Sequence, residues 1–493
     1  SLSDNENHFI RYQCETLIQE KNMKTIFKYI LSVALGASIL TSCDLDTIPT
    51  TSVDAGSVFG KTGDAEKVLN GGWNYLMETF NSYANPGYGA MLRANDAMGS
   101  DVVLNDKYGF RSHNQFNAIY GKGGTNTLSW LLCYRVINDC NGVLDNIDNA
   151  EGTQNDRDRI KGQALALRGF LYLHLASCYS FAIDKDPNAV CAPIYTKSTD
   201  EVSAAEGMPA SSVSEVYAQS ISDLEKALDL IPETYIRNSK HKIDNQVVLG
   251  LLSRACLYAR QWEKAKNYSD QLLAKNNYLM SESEYKEGFS NAENKEWIWG
   301  HPQTNDQNNA SYQFYYLDTT TPGSYYYSFN VDPYFRDLFE DGDYRKEMIY
   351  WATDPGADVE SAAYVWMRNA KFKFRDIQNT VADIVLMRVA EIYLINAEAK
   401  ARLNDPDAVN KLNELKAARG AQAISTSLTG EDLLEAIWLE RRKELWGEGF
   451  SLIDIIRNQK SVVRKEYPDD KIDYTYTDSE GKEHTVKKTP QGH

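Results

Sequence analysis

Two stretches of this chain gather aromatic rings among planar polar groups, the combination that recognises sugars. In the first, Asn95, Asp96, Asp101, Asn105, Tyr108, Phe110 and Arg111 fall close together. In the second, Trp299, His301, Tyr312, Tyr315, Tyr316 and the triplet Tyr325, Tyr326 and Tyr327 lie around a Thr-Thr-Thr-Pro-Gly run at 319–323. Flat ring faces cover the C–H surface of a pyranose, while amides, carboxylates and guanidinium groups pair with its hydroxyls. Specificity follows because leaving such polar groups unpaired is costly. Adjacent aromatics in a Gly/Pro/Thr context cannot all enter one core, so some of these rings are expected to be exposed or to line a groove. All of these residues are candidate ligand contacts.

A second cluster is ionic. A helix expected to start at Thr429, with Asp432 completing a capping box, carries Leu434, Ile437, Trp438 and Leu445 on one side, and Arg441 falls on that same side. A guanidinium there must be paired, because an unpaired buried charge costs several kcal/mol. Glu440, Glu444 and Glu448 are the nearby partners, and Gly449 allows a turn that swings Glu448 inward. Such clusters serve catalysis or packing. Helix-borne Arg–Glu pairs more often fix packing, so Arg441, Arg442, Glu444 and Glu448 are assigned to a structural ion-pair lock.

Catalytic signatures are missing. There is no GxSxG elbow, no HExxH and no Walker A, and the Gly-Lys-Gly-Gly at 121–124 lacks the required spacing. Asp184-Lys185-Asp186-Pro187-Asn188 opens like a calcium loop, but Ala189 stands where an EF-hand needs glycine and Tyr195 where it needs the bidentate glutamate. No catalytic residue, cofactor or metal is therefore expected, with a looser calcium site as the alternative. Carboxylates for glycoside hydrolysis are plentiful, but that mechanism is decided by their separation, a property of the fold.

The elements that must position these groups read as helices. Met387, Ala390, Leu394, Ala397 and Ala401 recur at the spacing of one apolar helix face. Asp405-Pro406 reads as an N-cap and first helical position, Val409, Leu412 and Leu415 carry a return helix, and Gly420 ends it. A second pair runs through Val247, Leu251, Ala255 and Tyr258, then Trp262, Ala265, Tyr268 and Leu272. Ser212 and Glu215 form a capping box for a further helix, and His174 lies on an apolar face as a core histidine. The expected fold is mostly α: a tetratricopeptide-like helical-repeat scaffold whose pairs bury their faces by stacking. Two long irregular regions, Asn81 to Asn126 and Asn276 to Thr380, interrupt it.

The 493 residues carry 52 Lys and Arg against 69 Asp and Glu, a formal net charge of −17, which argues against nucleic-acid binding. The seven cysteines make no CxxC or metal spacing. Residues 1–22 are polar and patternless and read as an upstream segment. Residues 23–42 combine Lys24 and Lys28 with a short apolar run, as a signal peptide does. The run ends Leu40-Thr41-Ser42-Cys43, like a bacterial lipobox, so Cys43 is the expected lipidation site and a membrane lipid anchor. Residues 43–62 form a tether, 63–460 one helical domain, and 461–493 a polar tail.

These residues also carry a resemblance. Leu386 through Leu394, then Ala397-Glu398-Ala399, Leu412-Asn413 and Arg419-Gly420, resemble the central signature of the SusD/RagB family. Glu440 through Leu445, with Glu448-Gly449-Phe450 and Asp454, resemble its second signature, and Ala166 through Tyr172 its "ALRAFxY" helix. The resemblance covers roughly Cys43 to Asn458. Asp44 and Asp46 resemble the surface-export signal of Bacteroidetes lipoproteins. The resemblance implies a surface-exposed outer-membrane lipoprotein that binds an oligosaccharide, without cleaving it, for a SusC-like TonB-dependent transporter. Peptide capture, a surface glycosidase and a transporter lid without its own ligand are the alternatives.

Overall fold

The computed structural model describes residues 58–80, 86–104, 109–120, 124–319, 321, 328–351, 364–467, 472–478 and 480–490. The expected signal segment and Cys43 lie outside them, as do the candidate contacts Asn105, Tyr108, Tyr325, Tyr326 and Tyr327. The described residues all belong to the unit that begins at Val58.

Helices dominate. The chain opens with α1 (Thr62–Glu78), α2 (Gly87–Ala97), α3 (Gly124–Asn146) and α4 (Gln154–Cys178). Then come α5 (Val213–Leu230), α6 (Asn245–Tyr258) and α7 (Trp262–Lys275). Beyond the second irregular region stand α8 (Val389–Arg402), α9 (Asp407–Ala418), α10 (Gly430–Glu444) and α11 (Ser451–Arg457). Packing runs from neighbour to neighbour: α4 on α5, α6 on α7, α7 on α8, α8 on α9. This is the stacked-pair logic expected of the repeats.

Small residues set the closest approach. A Cβ on Gly169 of α4 would lie 2.9 Å from Leu224 Cγ and 3.0 Å from the Ser220 carbonyl of α5. Ser220 Oγ donates to the Gly169 carbonyl at 2.7 Å across that contact. The capping box at Ser212 and Glu215 forms in both directions at the head of α5. The one expected at Thr429 does not form, since the Thr429 side chain makes no cap bond; Glu431 and Asp432 in the first turn supply the favourable negative charge instead. Asp405 caps α9 through the Asp407 N–H, and Gly420 ends it at φ +69.

Three sequence-based expectations need correction. Met387 is not helical: it sits in β2 (Ile384–Arg388), which pairs antiparallel with β1 (Trp297–His301). Every residue of both strands is buried, so the apolar run has no alternation to distinguish it from a helix start. The supposed loop after Asn81 contains α2, whose Gly, Ala and Met positions are buried almost all round, which erases the helical period. The polar tail folds as a hairpin of β3 (Ile472–Thr477) on β4 (Glu483–Pro490), turned at Asp478 and Gly481.

Candidate functional site

The ionic cluster is deeply buried and joins distant parts of the chain. Arg441 pairs at 2.9 Å with Asp454, not with the glutamates beside it, because the turn after Leu445 brings α11 under α10. Arg442 grips Asp101 through two bonds of 2.6 and 3.0 Å. Glu444, with no exposed surface, receives Arg345, Arg388 and Arg419 at 2.7, 2.6 and 2.9 Å. Glu448 takes Arg388 and Lys371 at 2.7 and 2.6 Å, and Glu296 of the second irregular region takes Arg388 and Arg419. Burial alone would raise the Glu444 carboxyl, but its three guanidinium partners hold it well below the usual carboxylate range. Burial pushes the Lys371 ammonium down to about 8. Glu444, Glu448, Glu296, Arg388 and Arg419, all buried, link α8, α10 and the β1–β2 pair; Arg441 and Arg442 instead line a cavity of about 310 Å³ with Asp101 and Asp454.

Most candidate contacts are likewise taken up inside. Asp96 is fully buried and accepts the Gly449 and Ser451 N–H groups, and Asn95 is buried beside Cys178. Asp101 is held by Arg442. Phe110 and Tyr316 make an edge contact at 5.2 Å and pack on Phe329 in the core. Trp299 has no exposed surface; it donates to the His241 carbonyl at 2.9 Å and packs on Trp73 and Phe170. His301 accepts from Trp73 Nε1 at 3.0 Å through Nδ1 and donates to Glu78 through Nε2. Burial alone would raise Glu78, but hydrogen bonds from His301, Gln303 and the Ala310 N–H keep it below its ordinary value. These side chains are held inside the protein, not in one exposed groove as expected, although Asn95 and Asp101 each line a cavity. Each aromatic or polar group meets a partner from a remote segment that the local sequence does not reveal.

Arg111, Tyr312 and Tyr315 keep solvent exposure. The two tyrosines belong to a shelf whose outer ring, Phe80, lies outside both candidate stretches. Phe80 stands just past the end of α1, 44% exposed, with its ring edge-on to Tyr312 at 5.2 Å. Tyr312 meets Tyr315 at 5.2 Å, Tyr315 meets Phe374 at 5.0 Å, and the Tyr315 hydroxyl lies 3.1 Å from Thr380 Oγ1. Beside the shelf runs the turn Thr304–Asn309, almost wholly exposed and rich in amides. Asn309 donates to the Glu78 carbonyl at 3.1 Å and Asn308 to the Asn379 carbonyl at 2.9 Å, which tie the turn to both flanks of the shelf. Exposed ring faces next to oriented amides suit a hydroxylated, partly apolar surface.

Two family profiles match in succession. One, described as starch-binding and associating with the outer membrane, covers residues 62–257; the other, the SusD family, covers 360–491. A crystal structure of a SusD-like carbohydrate-binding protein from Bacteroides vulgatus is 83% identical, with a TM-score of 0.85, over 88% of this chain and 90% of that one. The chain belongs to the SusD-like family. SusD-like protein P38 of Formosa agariphila is 24% identical over 90% of this chain and 93% of its own. A structure named as a laminarin-binding SusD-like protein shares the fold at 19% identity, with a TM-score of 0.64 over 82% of this chain and 92% of that one.

The family match extends through the hairpin of this SusD-like chain, past the Asn458 limit of the signature resemblance. Among the described residues no group of three His, Cys, Asp or Glu side chains converges as a metal site. Asp184 of the calcium-like run pairs with Arg260 at 3.0 Å, and Asp186 accepts the Asn188 N–H. No described helix is long and apolar enough to cross a membrane.

Proposed function

We propose that this protein captures an oligosaccharide on the Phe80–Tyr312–Tyr315 shelf, without cleaving it, and passes it to a SusC-like TonB-dependent transporter. It would be held at the outer membrane through acyl chains on Cys43. The observation that carries the proposal is the shelf itself: three contiguous rings, Phe80 exposed and Tyr312 and Tyr315 half-buried, beside an amide-rich turn, in a family of carbohydrate binders. Two carboxylates flanking the shelf, Glu78 and Asp376, are held within the protein, which favours binding over hydrolysis. Both oxygens of Glu78 are engaged, and Asp376 accepts the N–H and amide of Asn379. A hydrolase needs two carboxyl groups facing one glycosidic bond. The fold supports the same task elsewhere, since the laminarin-binding protein is built on it.

Calorimetric titration with a panel of oligosaccharides, followed by chromatography of the recovered ligand, tests this. Saturable heat with intact ligand is expected, weakened at least about tenfold by Phe80→Ala or Tyr312→Ala, because each ring lost removes stacking area and its edge contact. Cleaved ligand would refute the non-catalytic role. Saturation with peptides but not glycans would redirect the capture function to peptides.

A further inference from the structure

A cavity of about 930 Å³ opens between α2, the start of α3, the end of α4 and α11. It falls in the size range of small-molecule sites. None of its lining side chains is an Asp, Glu, Lys or Arg, in a chain that is 25% charged. Its histidines are neutral as well: burial pushes both His113 and His174 down to about 4. This lining favours an uncharged occupant, since its side chains offer an ion no countercharge.

The walls divide the occupant's chemistry further. Met91, Met98, Phe116, Trp130, Leu452 and Ile456 give an apolar and aromatic surface. Trp130 is half-buried and held by Tyr134 at 4.9 Å and Tyr179 at 5.3 Å, so its position is set before anything binds. Among these walls stand Asn95, His113, Thr125, Asn126 and Ser129. Ser129 Oγ is satisfied by His174 Nε2 at 2.9 Å, but neither ring nitrogen of His113 has any hydrogen-bond partner, although the residue is only 8% exposed. A buried imidazole left unpaired carries a desolvation cost that calls for a partner. An acyl chain would leave both His113 nitrogens unpaired. A bare sugar would set its hydroxyls against the methionines and isoleucine. A molecule with a flat apolar part and a hydroxylated part meets both demands.

Trp130 also lines a second pocket of about 230 Å³, with Tyr134, Tyr195 and Asn138. Asn138 uses its carbonyl oxygen to hold the Thr199 N–H and hydroxyl, and none of that pocket's lining residues is charged. Trp130, Tyr134 and Asn138 recur every four residues along α3, so one helix face serves both spaces.

We propose that the cavity beneath Trp130 is a second binding site, separate from the aromatic shelf, for a neutral glycoside bearing an aromatic aglycone. Its ring lies on the Trp130–Phe116 wall, and a sugar hydroxyl pairs with His113. Calorimetry of the whole protein with 4-nitrophenyl β-glucoside as the probe, and methyl β-glucoside as its non-aromatic control, tests the assignment. The aryl glucoside is expected to bind saturably, at least about tenfold tighter than the methyl glucoside. Thr125→Trp, which fills the cavity from a half-buried position, should abolish that binding. His113→Phe should weaken it while raising the melting temperature, so lost binding is not lost folding. Tyr312→Ala should leave it unchanged, which separates this site from the shelf whether or not the shelf takes glycans. Absence of saturable binding, equal binding of both glucosides, indifference to both cavity variants, or loss on Tyr312→Ala would each overturn the proposal.

Discussion

At the scale of single residues, the interior is held by groups whose protonation is fixed by their surroundings, and that has measurable consequences. His113, His174 and His241 are each pushed down to about 4, in every case by burial first. The folded pKa lies below the unfolded value near 6.5, so the unfolded chain binds protons first as pH falls. Stability is therefore full above 6.5 and declines between 6.5 and 4, by up to about 3 kcal/mol per histidine. Denaturant melts between pH 7 and 4.5 should show that slope, and His113→Phe should remove one histidine's share; an unaltered slope would mean that His113 titrates normally. The carboxylates behave oppositely in origin but alike in direction. Glu444 is held well below 4.5 by Arg419, Arg388 and Arg345, so its contribution is present above that value and lost as pH falls through the folded one. Removing its charge leaves three guanidinium groups short of a shared partner. Glu444→Gln should cost about 3–5 kcal/mol between pH 5 and 8, read as a lower unfolding midpoint. A change under 1 kcal/mol would show that the remaining acids, Glu296, Glu448 and Glu440, suffice.

At the scale of elements, stability depends on how near the helices come, and glycines report it. Gly169 faces Leu224 and Ser220 across the α4–α5 contact with no room for a methyl group, whereas Gly71, exposed on α1, has nothing within 4 Å. Gly169→Ala should destabilise by about 1–3 kcal/mol through overpacking. Gly71→Ala should stabilise by about 0.5–1 kcal/mol by relieving backbone entropy in a helix interior. Equal effects from the two in thermal melts would contradict this account of the packing. Such elements are legible where one face is wet: the α6–α7 and α8–α9 pairs and the Ser212 cap all follow from spacing alone. Legibility fails where burial is complete, as for α2 and for Met387 in β2, because periodicity needs a polar side to be seen against. The candidate site divides the same way. Tyr312 and Tyr315 can be named from their context, but Phe80 is one aromatic at a helix end, and nothing local says that its ring will stand beside Tyr312. Conversely, Tyr316 and Phe110 read as loop aromatics in the sequence, yet each supplies the other's core contact.

At the scale of the whole molecule, the net charge of −17 sets what kind of glycan can approach. The shelf offers rings, amides and hydroxyls, so a neutral oligosaccharide gains its binding from stacking and short-range hydrogen bonds, which salt barely screens. An acidic glycan must first come up against a field of its own sign. At 0.01 M ionic strength that field reaches about 30 Å, and at 0.15 M only about 8 Å. The dissociation constant for a neutral oligosaccharide should therefore change less than about twofold between 0.01 and 0.5 M salt, whereas a uronic-acid glycan of equal length should bind more weakly at low salt and improve as salt rises. Titrating both ligands across that range separates the cases. Arg111 is the exception to watch, being a cation exposed within the first aromatic and polar stretch. Should affinity for the acidic glycan fall with salt instead, a local positive contact outweighs the global field. Arg111→Gln would then be expected to erase the salt dependence, and the natural ligand would be an anionic polysaccharide.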